Sequence, residues 1–157
     1  MRYVFDSNSL INLFKHYYPD RFPSLWERFY NLVDAGNLVS VREVFNEIST
    51  ADDSLAAWAK EQKHTLFSEP TIEEFQFVTE IFRVPHFQGI IRRKERLKGR
   101  PVADPFVIAR ARILEKGCVV TEENHTENAA KIPNVCNHFD IPCIKLEGFM
   151  KEEGWIF

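Results

Sequence analysis

The chain alternates short apolar runs with longer segments in which apolar residues recur every three or four positions. The apolar runs cover residues 3–5, 38–41, 118–121 and 142–146. The segment after the first run shows helical spacing of Leu10, Ile11 and Phe14. Short apolar strands that alternate with helices are typical of parallel sheets covered on both faces. The pattern therefore predicts an α/β fold, a three-layer α/β/α sandwich with a mainly parallel central sheet of four or five strands.

Local start and stop signals predict where the helices lie. A helix is expected over 8–16, a second from Pro23 to a stop at Gly36, and a third over 42–49. Two more are expected between 52 and 82, one beginning at Asp52 or Asp53 and one with a capping box at 71–74. Later helices are predicted over 89–99, with Gly99 as its stop, from an Asp104 cap with Pro105 in the first turn to a stop at Gly117, and over 133–139.

Length and composition bound the class of protein. A chain of 157 residues, 45% of them hydrophobic, is long enough to bury one core, which predicts a single domain over 1–157. Asp6 interrupts the first apolar run, and no run is long enough to span a membrane, so we expect a cytoplasmic protein without membrane contact. The odd cysteine count, Cys118, Cys136 and Cys143, favours reduced thiols over a disulfide framework.

Acidic residues follow or precede the predicted strands at one edge of the sheet. Asp6 comes directly after the first strand, and Glu122 and Glu123 follow Thr121 at the end of the strand 118–121. Asp104 heads the helix that leads into that strand, and such a helix begins at the carboxyl edge of a parallel sheet. Ligand sites of α/β folds lie beyond that edge, so these acids are expected to share one rim.

The helix over 42–49 offers one further acid from two glutamates. Its apolar stripe is formed by Val41, Val44 and Ile48 with Phe45. At 100° per residue, Glu47 lies about 110° from the centre of the stripe and Glu43 about 150°. Glu47 is therefore expected to reach the cleft, with Glu43 in reserve. Taken singly, each acid also fits a structural role, such as a helix cap or a solvated surface residue.

Four carboxylates around one cleft repel one another unless a cation compensates their charge. The hard oxygen donors predict Mg²⁺ or Mn²⁺ as the cofactor. Such ions activate water and stabilise the oxygens of an in-line phosphoryl displacement. The acid set therefore suggests metal-dependent hydrolysis of phosphodiester bonds.

Three segments resemble PIN-domain ribonucleases, the fold of VapC-type toxins. YVFDSNSLINLF is similar to the family's first strand and metal-binding acid, which places those roles on Asp6 with Asn8 as a supporting polar group. VREVFNEIS resembles the segment of the second acid, Glu47, and VADPFVIARARILEKGCVVTEEN resembles that of the third and fourth, Asp104 and Glu123. Many relatives carry Asp at the fourth position, so Glu122 stays an alternative to Glu123.

The resemblance implies a single-strand-specific endoribonuclease with Mg²⁺ or Mn²⁺, the toxin of a toxin–antitoxin pair. It also implies a cognate antitoxin-like inhibitor protein that blocks the acidic cleft, and a possible homodimer. The catalytic and metal-binding residues would be Asp6, Glu47, Asp104 and Glu123, supported by Asn8 and Thr121.

The rival interpretation is a catalytically weak PIN-like module that binds RNA or protein. A receiver domain, with Lys145 as its lysine, is less favoured because Ser7 stands where a second acid is needed.

A basic segment directly precedes Asp104. The overall net charge is −3, but residues 90–101 carry a local charge of +5 and the remainder −8. The segment either holds the phosphate backbone of RNA or forms a solvated helix face. Its cations are Arg92, Arg93, Lys94, Arg96, Lys98 and Arg100.

Nearby, Phe82, His86 and Phe87 either stack on bases or pack in the core, the core role being favoured. A zinc site from His125, Cys136, His138 and Cys143 is not favoured, because the spacing lacks a paired-ligand motif.

Overall fold

The computed structural model describes residues 1–91 and 102–157 of the chain. A five-stranded parallel sheet lies at its centre, in the order β3-β2-β1-β4-β5. The strands are β1 (Arg2–Phe5), β2 (Leu38–Val41), β3 (Phe67–Ser68), β4 (Gly117–Val120) and β5 (Cys143–Ile144). The described helices are α1 (Ser7–His16), α2 (Pro23–Asp34), α3 (Arg42–Ile48), α4 (Ser54–Glu61), α5 (Ile72–Arg83), α6 (Asp104–Ile113), α7 (Ile132–His138) and α8 (Leu146–Glu152), with a 3₁₀ helix over Pro85–Ile90.

The helices flank the sheet, so the predicted α/β sandwich with a parallel sheet is confirmed. β1 is the central strand, with β2 on one side and β4 on the other. The chain order of the strands therefore reverses at β1, which is where α/β folds open a crevice at the carboxyl edge. No helix among the described residues is long and apolar enough to cross a membrane.

Several local predictions agree with the structure because their signals act over a few residues. Gly36 adopts a left-handed φ of 74° just after α2, a conformation that glycine takes without steric cost. The capping box before α5 is present in full: Thr71 Oγ1 accepts from the Glu74 backbone N–H, and the Glu74 side chain accepts from that of Thr71. Phe87 is buried, as its favoured core role requires.

Other predictions were wrong in detail. Asp104 is the first residue of α6 and not its N-cap, because Ala103 occupies the cap position with no side-chain hydrogen bond. Gly117 does not end that helix. Lys116 takes the left-handed conformation there, with φ at 57°, and Gly117 begins β4.

Three elements have no counterpart in the predictions: the two-residue strand β3, the 3₁₀ helix and the C-terminal helix α8. The last predicted strand is shorter than expected, with only Cys143–Ile144 paired to β4. The helix predicted over 89–99 overlaps the described residues only at its start, where 85–90 form the 3₁₀ helix, and the rest lies outside them.

Candidate active site

A small polar cavity lies at the carboxyl edge of the sheet, beside the end of β1. Its volume is about 110 Å³. It is lined by Asp6, Ser7, Asn8, Glu47, Val102, Asp104 and Glu123. The four acids predicted to converge thus line one cavity, and they come from four separate segments of the chain. Asn8, the predicted supporting residue, lies on the same wall.

Asp6 holds its position through contacts on both carboxylate oxygens. Its Oδ1 accepts from the backbone N–H of Ser9 at 2.8 Å, which makes Asp6 the N-cap of α1. Its Oδ2 accepts from the hydroxyl of Thr121, the residue that follows β4. The Ser9 hydroxyl lies 2.9 Å from the Val120 carbonyl oxygen and 3.0 Å from that of Asp6. The helix cap and the cavity wall are therefore the same side chain.

Burial makes Asp6 unusually basic for an aspartate. The side chain is almost fully buried, and this desolvation raises its pKa from an ordinary value of 3.8 to about 6. The hydrogen bonds from Thr121 and Ser9 oppose the rise in pKa, and the nearby charge of Glu123 adds to it. Within the described residues, no positively charged group is among the causes that act on this pKa.

Glu47 is oriented by contacts from two other parts of the chain. Its Oε2 accepts from the Ser7 hydroxyl, and its Oε1 accepts from the backbone N–H of Ala103 at 3.1 Å. Ala103 is the N-cap of α6, so the positive end of that helix lies beside the Glu47 carboxylate. Asp104, the next residue, lines the same cavity.

Glu43 is placed differently from the prediction based on helical angle. It is buried, although its angle from the apolar stripe predicted the greater exposure. Its Oε1 pairs with Arg42 at 2.8 Å, while its buried Oε2 has no hydrogen-bond partner within residues 1–91 and 102–157. The angular argument failed because α3 is short and packs against α1, α4 and the sheet at once. Glu43 does not line the acidic cavity.

The two adjacent glutamates after β4 point to different places. Glu123 lines the acidic cavity, and its Oε2 accepts from the backbone N–H of Ile132 at 3.0 Å. The Glu123 backbone N–H also donates to the Thr121 hydroxyl. Glu122 turns the other way, where its Oε1 accepts from the backbone N–H of Leu146 at 2.8 Å and so stabilises the start of α8. The geometry therefore favours Glu123 over Glu122 as the fourth acid of the cavity.

The donor set of the cavity suits a hard cation better than a soft one, because its side-chain ligands are oxygen atoms. In the part of the chain that the structure describes, no group of three or more His, Cys, Asp or Glu side chains could hold a metal ion as it stands. The cavity volume corresponds to about three or four water molecules at liquid density. Carboxylates that line such a space can hold a cation partly through water, as Mg²⁺ sites commonly do.

A family model matches residues 3–157, which include all four acids and the five strands except the first residue of β1. The chain belongs to the family described as Domain of unknown function (DUF4411). No curated protein and no solved structure matches it. The acidic cavity therefore lies wholly within the DUF4411 domain.

The remaining candidate residues of the DUF4411 chain are the basic segment, the nearby aromatic residues and the cysteine and histidine residues. The six cations of the basic segment lie outside the described residues. Phe82 is half-buried against the core and His86 is exposed. The cysteines are free thiols, and His138 packs its ring against Phe87 and Phe139.

Sequence reasoning assigned no role to two residues of the DUF4411 site, Ser7 and Ser9. Ser7 orients Glu47, and Ser9 connects the ends of β1 and β4. The only available signal was their position directly after Asp6, because their partners lie far away in sequence.

Proposed function

We propose that this DUF4411 domain is a metal-dependent endoribonuclease that hydrolyses phosphodiester bonds of single-stranded RNA. The observation that carries the proposal is the convergence of Asp6, Glu47, Asp104 and Glu123 on one cavity at the point where the strand order reverses. This position is where α/β folds bind their ligands. The resemblance of the flanking segments to PIN-domain ribonucleases supports the same reaction.

The four carboxylates would hold Mg²⁺ or Mn²⁺. When bound, such an ion lowers the pKa of a water molecule and offsets the charge that develops on the phosphoryl oxygens. Ser7 and Thr121 keep two of the carboxylates in fixed orientations through their hydroxyl groups. Burial of Asp6 limits competing solvation, so that its charge acts on the cavity at short range. No side chain needs to form a covalent intermediate.

The proposed setting is the toxin of a toxin–antitoxin pair in the cytoplasm. The six cations over 92–100 would hold the phosphate backbone next to Asp104. An antitoxin-like inhibitor protein would act by covering the acidic cavity, and the toxin would form a homodimer as many PIN-domain proteins do. Each of these partners can be tested separately from the cleavage reaction.

The deciding experiment measures cleavage of a mixed pool of single-stranded RNAs by the purified protein. Reactions contain Mn²⁺, Mg²⁺ or a chelator, and they compare the wild type with Asp6→Asn and Asp104→Asn. Asp52→Asn is the matched control, because Asp52 is exposed and does not line the cavity. We expect metal-dependent cleavage by the wild type and the control, and loss of cleavage in both cavity variants. Circular dichroism checks that all variants remain folded.

The rival function is RNA or protein binding with little catalysis. It is favoured by one observation: among the described residues, no group of three or more His, Cys, Asp or Glu side chains is arranged to hold a metal ion. This rival predicts RNA binding that survives the chelator and no cleavage under any condition. Undiminished cleavage by Asp6→Asn or Asp104→Asn would instead show that a different site performs the reaction.

A further inference from the structure

A second, larger cavity adjoins the acidic one at the outer half of the sheet. Its volume is about 540 Å³, which lies in the range of roughly 300–1,000 Å³ typical of small-ligand sites. The loop after β4, helix α7 and the end of strand β5 line it. Its lining residues include Asn124, His125, Pro133, Asn137, Ile144 and Lys145.

The two cavities share a wall. Glu123 lines both, and Thr121, which lines the larger cavity, donates to the Asp6 carboxylate on the acidic side. The two cavities therefore adjoin at Glu123, and a substrate that binds in both would cross this side chain. The larger cavity is positioned to hold the part of a substrate next to the reacting bond.

The lining of the larger cavity divides into an apolar floor and a polar rim. Ile141, Cys143 and Ile144 supply the floor at and before the end of β5. Asn124, Asn137 and His125, which are exposed, supply amide and imidazole groups on the rim. Apolar surfaces and rings accept the flat face of a nucleobase, and amides can pair with its edge.

Lys145 places a positive charge at the rim of the cavity. Its ammonium group donates to the side-chain oxygen of Asn124, a neutral acceptor. Within the described residues it makes no ion pair with a carboxylate. The charge is thus available to a phosphate, the group that dominates affinity for nucleic acids.

We propose that the larger cavity holds the nucleoside adjoining the scissile phosphate, with Asn124, Asn137 and His125 contacting the base and Lys145 contacting the next phosphate. This assignment rests on the proposed ribonuclease function and adds to it the residues that set nucleotide preference at one side of the cut. Because the reacting phosphate would lie on the acidic side of Glu123, the nucleoside in the larger cavity would be one attached directly to that phosphate.

The first test measures mononucleotide binding in the presence of a chelator, so that no metal or cleavage is required. The probes are adenosine, guanosine, cytidine and uridine 5′-monophosphates, titrated into the full chain and followed by NMR. Asn137→Ala and Lys145→Ala are compared with Asn12→Ala and Lys151→Ala, whose positions line a different cavity. We expect the first pair to weaken binding of the preferred nucleotide about tenfold, a loss of one good contact, and the control pair to leave it unchanged. Equal binding by all four variants, or no binding of any mononucleotide, would overturn the assignment.

The second test sequences the ends of products cut from a randomised single-stranded RNA. We expect Asn137→Ala to change the nucleotide preference on one side of the cut, because Asn137 would contact the base. Lys145→Ala removes a phosphate contact, so it should weaken cleavage of all sequences alike and leave the preference unchanged. Unchanged preference in Asn137→Ala would contradict the assignment while leaving the ribonuclease function intact. Specific mononucleotide binding without any RNA cleavage would refute the ribonuclease function and leave the cavity as a nucleotide site.

Discussion

The hydroxyl of Thr121 donates a hydrogen bond to Oδ2 of Asp6, and so connects the ends of β4 and β1 across 115 positions of the chain. The other oxygen, Oδ1, accepts from the Ser9 backbone and caps α1. Asp6 therefore stabilises the fold with the same carboxylate that it presents to the acidic cavity. Its burial raises the pKa of this carboxyl group, and the two hydrogen bonds only partly offset that rise.

Asp6→Asn is expected to stabilise the metal-free protein near neutral pH. In the unfolded chain Asp6 titrates near its ordinary pKa of 3.8, and in the folded protein near 6, so the folded state binds the proton more tightly. The free energy of unfolding therefore falls as pH rises from about 4 to about 6 and stays low above that. Removing the charge should raise the free energy of unfolding by about 2–3 kcal/mol at neutral pH and change it little near pH 4.

Urea denaturation in a chelator at about pH 4 and about pH 7.5 checks this effect. Asp52→Asn, an exposed aspartate without a role in the cavity, is the matched control and should behave as the wild type at both values. A stability gain of equal size at both pH values would refute an electrostatic origin.

The adjacent glutamates after β4 should respond differently to the same substitution. Glu123→Gln removes a charge from the acidic cavity, so we expect it to lose most of the thermal stabilisation that Mn²⁺ gives to the wild type. Glu122→Gln keeps an oxygen that can accept from the Leu146 backbone and should retain the response to Mn²⁺. Melting temperatures across a Mn²⁺ titration test both variants. If Glu122→Gln lost the response to Mn²⁺ and Glu123→Gln kept it, Glu122 would be the fourth acid of the cavity.

The ion pair between Glu74 and Arg110 should matter for stability and not for the cavity. The Glu74 side chain is fully buried and its carboxylate lies 2.7 Å from the guanidinium of Arg110, whose side chain is 19% exposed. Glu74→Ala leaves that cation without its partner and also removes the capping box, so we expect a loss of about 3 kcal/mol. Glu73→Ala, an exposed neighbour in the same helical turn, is the control.

Chemical denaturation measures the loss of unfolding free energy in Glu74→Ala. The double variant Glu74→Leu/Arg110→Met tests the cause of that loss. If the loss arises from an unpaired buried charge, the double variant should recover most of the stability. A double variant no more stable than Glu74→Ala would point to the lost cap as the main cause.

Gly117→Ala should be strongly destabilising because the start of β4 has no room for a side chain. A Cβ atom at this position would lie 2.1 Å from the backbone carbonyl oxygen of Ala111. The backbone of β4 would have to shift, at a cost of at least about 2 kcal/mol. Gly89→Ala is the control, since its Cβ would meet Ala130 at an ordinary 3.5 Å. Equal melting temperatures of the two variants would contradict this reason for glycine at 117.

The sequence predicted the parallel sandwich and the convergence of the acids because both depend on strand order along the chain. Asp6 directly follows β1 and Glu123 lies three residues after the end of β4, so their placement at the rim needs no knowledge of packing. Glu47 was distinguished from Glu43 by its angle on the helix, and it does line the cavity. The burial of Glu43 was missed, because that angle considers one helix face and α3 is enclosed on several sides.

Contacts between distant segments could not be predicted from local signals. The strand β3 is two residues long and contains too few positions to show any periodicity. The choice between Glu122 and Glu123 depends on the backbone N–H groups of Ile132 and Leu146, which attract the two carboxylates in opposite directions. Neighbouring residues of the same type therefore received different environments for reasons that lie elsewhere in the chain.

The place of β4 beside β1 has a consequence for how the protein is made. During synthesis from the N-terminus, β1 and its aspartate emerge first, whereas β4 and Glu123 emerge only after more than 110 further residues. Until then β1 lacks one neighbour and the acidic cavity lacks a wall. A ribosome-bound chain that stops before β4 thus cannot possess the complete site, so any activity of this cavity begins only after β4 and Glu123 have been synthesised and have paired with β1.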